Sequence, residues 1–246
     1  MSKRPSQWDR GNIYLSGGMQ FAKDLGGDWR IKTSEKLKDM KYFPLDITAL
    51  DKAYDHAHGK PHFPSIQDIG VLKFKADMRK NFVETDLRLI DDNSDALIVF
   101  YDESARRGAG TVSECQHAFN SKIPIFLVYE ADSYEQITKE VSAWLIAITT
   151  RFFLSFEELY EYLETLPHGI LHKDKYGNNS VGNQYLCHLS GDVFTKKKNK
   201  FVSHVHPLYS QEAVDVVYDV YENQKDRYQF FMETLQKETG NTFTKS

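Results

Sequence analysis

Two glycine-containing turns carry the side chains in this sequence that are best suited to chemistry. One turn, SGGM, ends the apolar segment that begins with NIYL, and the other lies in DESARRGAGT, after the apolar segment DALIVFY. Glu114 follows the second turn, near the start of a predicted helix. Backbone N–H groups and the positive end of the helix dipole at such a turn suit a phosphate, a sugar hydroxyl or a buried carboxylate. The pattern therefore predicts a binding site for a polar small molecule.

Two neighbouring arginines, Arg106 and Arg107, precede Glu114 in the second turn. A guanidinium binds phosphate through parallel hydrogen bonds, so these residues favour a phosphorylated ligand. Gly110 lets the backbone turn tightly, and Thr111 is placed to cap the next helix. The residues predicted to contact the ligand are Ser16, Gly17, Gly18, Met19, Asp102, Arg106, Arg107, Gly110 and Thr111.

Short apolar segments alternate with longer amphipathic ones over the first two thirds of the chain, which is typical of βα units on a parallel sheet. DALIVFY and IPIFLVY are apolar throughout, as in strands covered by helices on both faces. Ligands bind at the carboxyl ends of such strands, where both turns fall. We predict an α/β domain with a five-stranded, parallel, doubly wound sheet of the flavodoxin-like type. The predicted strands are 12–16, 42–47, 95–101, 123–129 and 151–154, and the predicted helices are 28–40, 76–91, 111–121, 133–148 and 155–166.

The composition changes near residue 167, so the predicted domains are 1–166 and 167–246. The segment QYLCHLSGDVFTKKKNKFVSHVH has the pattern of a hairpin, and apolar residues at helical spacing from Pro207 predict a long helix that ends near residue 239. We therefore expect a C-terminal appendage made of a hairpin and a helix. Within the first domain, 49–75 is a long polar insertion, which predicts a loop that borders the ligand.

The order and spacing of three segments resemble the nucleoside 2-deoxyribosyltransferase superfamily, which includes nucleoside transferases and deoxynucleotide N-hydrolases. The segments are IYLSGGM with a downstream Trp-Arg pair, FVETDLRLIDDNSDALIVFYD, and GTVSE, and the resemblance covers about residues 12–166. It implies that Glu114 is the nucleophile, that Tyr14 lies beside it, and that Asp86 handles the base. It also implies a homo-oligomer in which neighbouring subunits complete the site.

The chemistry of that family explains why these residue types are needed. Cleavage of the bond between C1′ and a base nitrogen develops positive charge on the sugar, which a carboxylate such as Glu114 stabilises or captures covalently. A second carboxyl with a raised pKa, Asp86 or Asp102, would protonate the departing base. The Tyr14 hydroxyl can donate a hydrogen bond that holds Glu114 in one rotamer. We therefore expect cleavage or transfer at the N-glycosidic bond of a 2′-deoxynucleoside or its 5′-monophosphate, without a cofactor.

The same residues also fit purely structural roles. Glu114 suits the positive end of a helix, Asp86 the charged surface of a helix, and Tyr14 the core of a sheet. Gly108 stands where family members often have an acidic residue, and Cys115 and Gln116 differ from the residues that usually follow the glutamate in the family. The alternative function is therefore a non-catalytic module on the same fold that senses a nucleotide or binds a partner protein.

Two histidine-containing segments contain metal-ligating residue types without a complete ligand pattern. DHAHGKPH (55–62) groups imidazoles with a carboxylate but lacks a recognised spacing. Cys187, His204 and His206 are similar to part of a zinc ribbon, but Ser190 stands where a second cysteine would complete C-x-x-C. We therefore predict no metal site.

The charge balance and the apolar segments exclude several classes of protein. The chain has 31 Lys and Arg against 35 Asp and Glu, a net charge of −4, so no global positive field attracts nucleic acid or anionic lipid. The lysine-rich run at 196–200 fits a solvated turn. No segment fits a signal peptide or a membrane span, and Cys115 and Cys187 do not make a disulfide framework. We expect a cytoplasmic protein that binds a nucleoside or nucleotide, with neither a membrane nor a nucleic-acid partner.

Overall fold

Five short apolar segments form one parallel sheet in the computed structural model, which describes residues 8–59, 66–166, 169–171 and 227–239. The strand order is β2-β1-β3-β4-β5, and all four pairings are parallel. This is the flavodoxin-like order, so the predicted fold of the sheet is confirmed. The strands are β1 (Asn12–Gly17), β2 (Phe43–Leu45), β3 (Ala96–Phe100), β4 (Ile125–Val128) and β5 (Arg151–Phe153).

Three helices, α1, α7 and α10 in the list below, lie close to the predicted helices 28–40, 111–121 and 155–166. A π-helical segment, Arg79–Glu84, links the fourth and fifth helices, and a short 3-10 turn covers Gly169–Leu171. In chain order the α-helices are α1 (Gly27–Asp39), α2 (Ile47–His58), α3 (Ile66–Ile69), α4 (Val71–Met78), α5 (Thr85–Asn93), α6 (Glu103–Arg107), α7 (Gly110–Asn120), α8 (Tyr134–Glu140), α9 (Ala143–Ile148), α10 (Phe156–Thr165) and α11 (Arg227–Thr239).

The described residues divide into two compact units. The α/β unit contains those within 4–48 and 90–198, and it includes the whole sheet. The helical unit contains those within 49–89 and 199–246. The domain boundary near residue 167 stays a prediction, because the residues around it lie largely outside the described ranges.

Side chains of β1 and β3 fill the centre of the α/β unit. Ile13 and Leu15 of β1 and Ile98 of β3 are fully buried in one cluster that also contains Phe126 of β4 and Leu159 of α10. Both faces of these strands are covered, as their unbroken apolar sequences predict. β2 lies on one side of β1, and β3, β4 and β5 follow one another on its other side, so the direction of the strand order reverses at β1. The carboxyl end of β1 is therefore the topological switch point, where open α/β sheets bind ligands.

The prediction of a loop over 49–75 is wrong for the residues that the structure describes. α2 continues to His58, and α3 and α4 occupy most of 66–78. Leu50 and Tyr54, one helical turn apart on α2, are both buried, and the Tyr54 ring packs against the Phe230 and Phe231 rings of α11. Tertiary burial of this apolar stripe stabilises a helix in a segment whose composition is polar.

One predicted helix is broken into two, and another contains a π-helical segment. The prediction of one helix over 133–148 is wrong, since Val141 takes an extended conformation and Ser142 starts α9 by accepting a hydrogen bond from the Leu145 amide at 3.2 Å. Predicted helix 76–91 is interrupted at Arg79–Glu84 by i→i+5 bonding.

The C-terminal predictions fall partly outside the described residues. The predicted hairpin and the first part of the predicted long helix lie there, as does the lysine-rich run at 196–200. α11 lies within the predicted helix, and its residues Tyr228, Phe231 and Leu235 are buried at helical spacing, as the apolar stripe predicts.

Replacing Gly18 by alanine is expected to destabilise the α/β unit. A Cβ at this position would lie 1.9 Å from Ser104 Oγ and 2.5 Å from the Ala105 nitrogen. Because the nitrogen belongs to the backbone of α6, the clash is relieved only if α6 moves, and overpacking of this kind typically costs about 1–3 kcal/mol. Urea unfolding followed by tryptophan fluorescence measures the loss, since all three tryptophans belong to the α/β unit.

Gly110→Ala is the matched control for Gly18→Ala. A Cβ on Gly110 meets no heavy atom within 4 Å, and the residue opens α7. Alanine favours helix over glycine by up to about 1 kcal/mol, so the free energy of unfolding should stay unchanged or rise slightly. Equal stability of the two variants would show that Gly18 does not pack against α6.

Candidate functional site

The Glu114 carboxylate lies where β1 ends and α7 begins, and it accepts hydrogen bonds from two hydroxyl groups of β1. Tyr14 Oη donates to Glu114 Oε1 at 3.0 Å, and Ser16 Oγ donates to Glu114 Oε2 at 2.5 Å. Tyr14 and Ser16 are buried, at 0% and 1% exposure, whereas Glu114 is half-buried. Each carboxylate oxygen therefore has its own donor, and the side chain is held in one orientation.

Strand periodicity explains why these two donors meet one acceptor. Tyr14 and Ser16 are two residues apart on β1, so their side chains lie on the same face of the sheet. α7 packs against β1, β3 and β4 on that face. Glu114 is the fifth residue of α7, four residues after Gly110, and so lies just beyond the first turn of this helix. The predicted contact between Tyr14 and Glu114 is present. The Ser16 contact was not predicted, because Ser16 was assigned to the ligand alone.

Opposing effects act on the protonation of Glu114. Burial of the carboxyl raises its pKa above the ordinary glutamate value, which is the largest effect and the net direction. Hydrogen bonds from Ser16 and Tyr14, together with the positive charge of Arg30, act in the opposite direction because they stabilise the ionised form. A desolvated carboxyl at a switch point, aligned by fixed donors, is suited to act as a nucleophile or as an acid–base group.

Arg30 of α1 was not predicted to belong to the site, although it lies under it. The guanidinium is buried and donates to three backbone carbonyls, those of Leu15 at 3.2 Å, Gly17 at 2.9 Å and Gly26 at 2.8 Å. Its charge reaches Glu114 and contributes to the protonation state described above. Two signals in the sequence pointed to Arg30: it belongs to the Trp-Arg pair of the family resemblance, and it is a charged residue on the face of α1 that packs on the sheet.

The glycine turn after β1 is shaped by close packing. A Cβ on Gly17 would lie 2.8 Å from Trp29 Cζ2, and one on Gly18 would clash with α6. Trp29 itself packs on Phe100 and Phe156, with ring centroids 5.6 Å and 5.8 Å apart. Gly17 and Gly18 thus meet a steric requirement of the fold. Their contact with a ligand, like that of half-buried Met19, stays a prediction.

The second turn has local roles that the sequence predicted only in part. Asp102 is the N-cap of α6, and its Oδ1 accepts hydrogen bonds from Ser104 Oγ at 2.6 Å and from the Ala105 amide at 2.9 Å. The prediction that Thr111 caps α7 is wrong, since Ala109 is the N-cap residue, without a side-chain hydrogen bond. Thr111 is instead buried inside the first turn.

The two arginines of the second turn face different neighbours. Arg106 Nη1 lies 3.8 Å from Glu140 Oε2, and Glu140 also accepts a short hydrogen bond from the Tyr129 hydroxyl. Arg107 instead places its guanidinium carbon 4.5 Å from the centre of the Phe21 ring, in the loop after β1. Of these two arginines, Arg107 is therefore the one that contacts the loop after β1.

The remaining predicted acid belongs to the helical unit. Asp86 is in the first turn of α5 and is half-buried. Its role toward a base stays a prediction. In the same unit His58 Nδ1 lies 2.8 Å from the Tyr54 carbonyl, and the two rings stack.

The described residues contain no group of three or more His, Cys, Asp or Glu side chains that could hold a metal ion. The residues of the suggested zinc ribbon, Cys187, His204 and His206, lie outside the described ranges, as does His62. Across the part of the chain that the structure describes, no helix is both long and apolar enough to cross a membrane.

Comparison of the chain with protein-family models, with curated proteins and with solved structures finds no match.

Replacing Glu114 by glutamine is expected to stabilise the α/β unit more at neutral than at acidic pH. Burial raises the pKa of Glu114 in the folded protein, so the folded state binds this proton more tightly than the unfolded state does. Below the pKa of glutamate in an unfolded chain, about 4.3, both states are protonated and ionisation costs no stability. As the pH rises through the folded pKa, the buried charge lowers stability, and glutamine removes that cost. Urea unfolding at pH 4 and pH 8 measures the difference.

Glu157→Gln is the matched control, because it removes one carboxylate from the exposed first turn of α10 in the same unit. A gain in stability that is equal for the two variants at both pH values would contradict the desolvation of Glu114.

Proposed function

We propose that this protein cleaves or transfers at the N-glycosidic bond of a 2′-deoxynucleoside or its 5′-monophosphate, through a covalent glycosyl intermediate on Glu114. The observation that carries the proposal is the Glu114 carboxylate, desolvated at the switch point of the sheet and aligned by the Tyr14 and Ser16 hydroxyls. The resemblance of IYLSGGM and GTVSE to nucleoside 2-deoxyribosyltransferases supports the same reaction.

The proposed reaction has two displacement steps at C1′. In the first step a Glu114 oxygen forms a bond to C1′ while the bond from C1′ to the base nitrogen breaks, and the bonding electrons leave with the base. In the second step water or the nitrogen of another base attacks C1′ and releases the Glu114 carboxylate. Water yields a hydrolase and a second base yields a transferase, and exclusion of water during the intermediate selects between them.

Tyr14 and Ser16 act on the orientation of the nucleophile. Their hydrogen bonds keep both carboxylate oxygens in place before attack, which lowers the entropic cost of reaching C1′. They also stabilise the ionised, nucleophilic form against the effect of burial. The departing base needs a proton or a hydrogen bond, and the family resemblance implies Asp86 for that task. The chemistry requires no cofactor.

A second candidate function is a non-catalytic module that binds a partner protein. It is favoured by Trp144 on α9, which is 68% exposed and donates from Nε1 to Gln116 Oε1 at 2.7 Å. Gln116 stands where the resembled family has another residue type, and it also donates to Asn120 Oδ1 at 3.1 Å. An exposed, immobilised indole is a common centre of protein interfaces. Absence of any base release from nucleosides and nucleotides would favour this function.

Glu114→Ala is expected to fold and to lose turnover by at least about 10³-fold, as happens when a covalent nucleophile is removed. Tyr14→Phe should cause a smaller loss, because Ser16 still holds one carboxylate oxygen. The assay incubates the protein with each deoxynucleoside and each 5′-monophosphate and follows free base by chromatography. Mass spectrometry after trapping with a 2-fluoro substrate analogue should place the sugar on the peptide that contains Glu114.

Glu157→Ala is the control for that experiment and should retain full activity. Asp86→Asn tests the predicted acid and should impair most the substrates with poor leaving bases. An adduct on another carboxylate, or full activity of Glu114→Ala, would remove the basis of the catalytic assignment.

Arg107→Ala is expected to lower kcat/KM for 5′-monophosphates by about 10- to 100-fold, the usual value of a charge-assisted hydrogen bond, with little effect on nucleosides. The reason is that Arg107 faces the loop after β1, whereas Arg106 is paired with Glu140. Arg106→Ala is therefore the matched control and should leave the preference for monophosphates intact. Equal losses in the two variants, or equal losses on both substrate classes, would contradict this assignment.

A further inference from the structure

Arg30 is the single charged residue among the fully buried residues of the described α/β unit, with 1% of its surface exposed. Burial lowers the pKa of its guanidinium, an effect that the nearby acidic groups Asp46, Glu114 and Asp24 oppose. Within the described residues Arg30 forms no ion pair, since all its hydrogen bonds go to backbone carbonyls. A buried charge is costly, and the three hydrogen bonds to carbonyls offset part of that cost.

The three carbonyls bound by Arg30 surround the glycine turn. Nε and Nη2 hold Leu15 and Gly17, the residues on either side of Ser16, and Nη1 holds Gly26 at the far end of the loop. Gly26 has φ +72° and lies so close that a Cβ would be 2.3 Å from Nη1. The planar fork of an arginine matches this set of acceptors, whereas an ammonium group cannot direct donors at three fixed carbonyls in this way.

We propose that Arg30 is a positioning residue of the Glu114 site. By fixing the carbonyls on both sides of Ser16, it directs the Ser16 hydroxyl at Glu114 Oε2, and its charge favours the ionised carboxylate. The consequence for catalysis depends on the proposed function, whereas the consequence for Glu114 itself does not.

The groups that act on the protonation of Glu114 can be named element by element. β1 contributes the Tyr14 and Ser16 hydroxyls, and α1 contributes Arg30. α7 also carries the buried thiol of Cys115, whose own pKa is raised by burial and by Glu114. β3, β4 and α9, which also pack on α7, carry no titratable side chain. α6 carries Glu103, which is exposed, and the two arginines whose contacts to Glu140 and Phe21 are given above.

Arg10 provides a matched control within the same unit. Its guanidinium also donates to three carbonyls, those of Met40 at 3.4 Å, Leu163 at 2.7 Å and Leu166 at 2.5 Å, and it also lies against an aromatic ring, that of Tyr42. It precedes β1 and so lies at the amino edge of the sheet, opposite the site. Replacing Arg10 therefore shows what the loss of an arginine that binds three carbonyls does to stability, without a direct effect on Glu114.

The experiment follows the titration of Glu114 directly by ¹³C NMR of protein labelled at the glutamate carboxyl carbon, with the signal assigned by its absence in Glu114→Gln. Arg30→Gln should raise the pH at which Glu114 titrates, because the stabilising charge is lost. Arg30→Lys keeps the charge but not the fork and should cause a smaller upward shift. Arg10→Gln should leave the titration unchanged at a comparable loss of stability.

An unchanged Glu114 titration in Arg30→Gln would overturn the proposal, and so would an equal shift in Arg10→Gln. If Arg30→Gln does not fold, Arg30→Lys decides: an unchanged titration together with an intact 2.5 Å bond from Ser16 to Glu114 in its crystal structure overturns the proposal as well. In the activity assay the acidic limb of the pH profile should move upward in Arg30→Gln and not in Arg10→Gln. If the wild-type protein releases no base, the proposed function fails, while the titration still decides the role of Arg30.

Discussion

A carboxylate that is shielded from water needs hydrogen-bond donors, and the carboxyl edge of this sheet meets that requirement for half-buried Glu114. Two hydroxyls on one face of β1 supply the donors, and the buried guanidinium of Arg30 supplies charge without contact. Burial still dominates, so the carboxyl keeps a raised pKa. A carboxyl with a raised pKa is suited to acid–base or nucleophilic chemistry, and its burial costs some stability of the fold.

The same requirement explains the tight packing of the glycine turn. For Ser16 to reach Glu114, the chain must leave β1 between Trp29 and α6, where neither Gly17 nor Gly18 has room for a side chain. Asp102 then holds the start of α6 against this turn by capping it. Gly17 and Gly18, which the sequence assigns to a ligand-binding loop, are thus also required by packing. The two roles are compatible, because a backbone without side chains is open to a ligand on its remaining side.

Arg10 and Arg30 show how one chemical device serves two purposes. Each binds three carbonyls and lies on an aromatic ring, Tyr42 for Arg10 and Trp29 for Arg30. Arg10 ties the amino edge of the sheet to the end of α10, far from any predicted ligand. Arg30 is buried beside a carboxylate, where its charge changes the chemistry of a neighbour. Position on the sheet, and not residue type, separates the stabilising role of Arg10 from the positioning role that we propose for Arg30.

The sequence by itself determined the five strands and their parallel, flavodoxin-like sheet, because unbroken apolar segments that alternate with amphipathic ones are local patterns. The meeting of Tyr14 with Glu114 was implied by the family resemblance alone. The sequence did not determine that α2 is a helix or that a helix breaks at Val141. It also did not determine that Ser16 donates to Glu114 or that Arg30 binds three backbone carbonyls. Each of these depends on groups distant in the chain: Ser16 and Glu114 are 98 residues apart, and α2 buries Tyr54 against α11. Only the tertiary structure decided them, since burial and donor geometry exist only once separate segments have packed together.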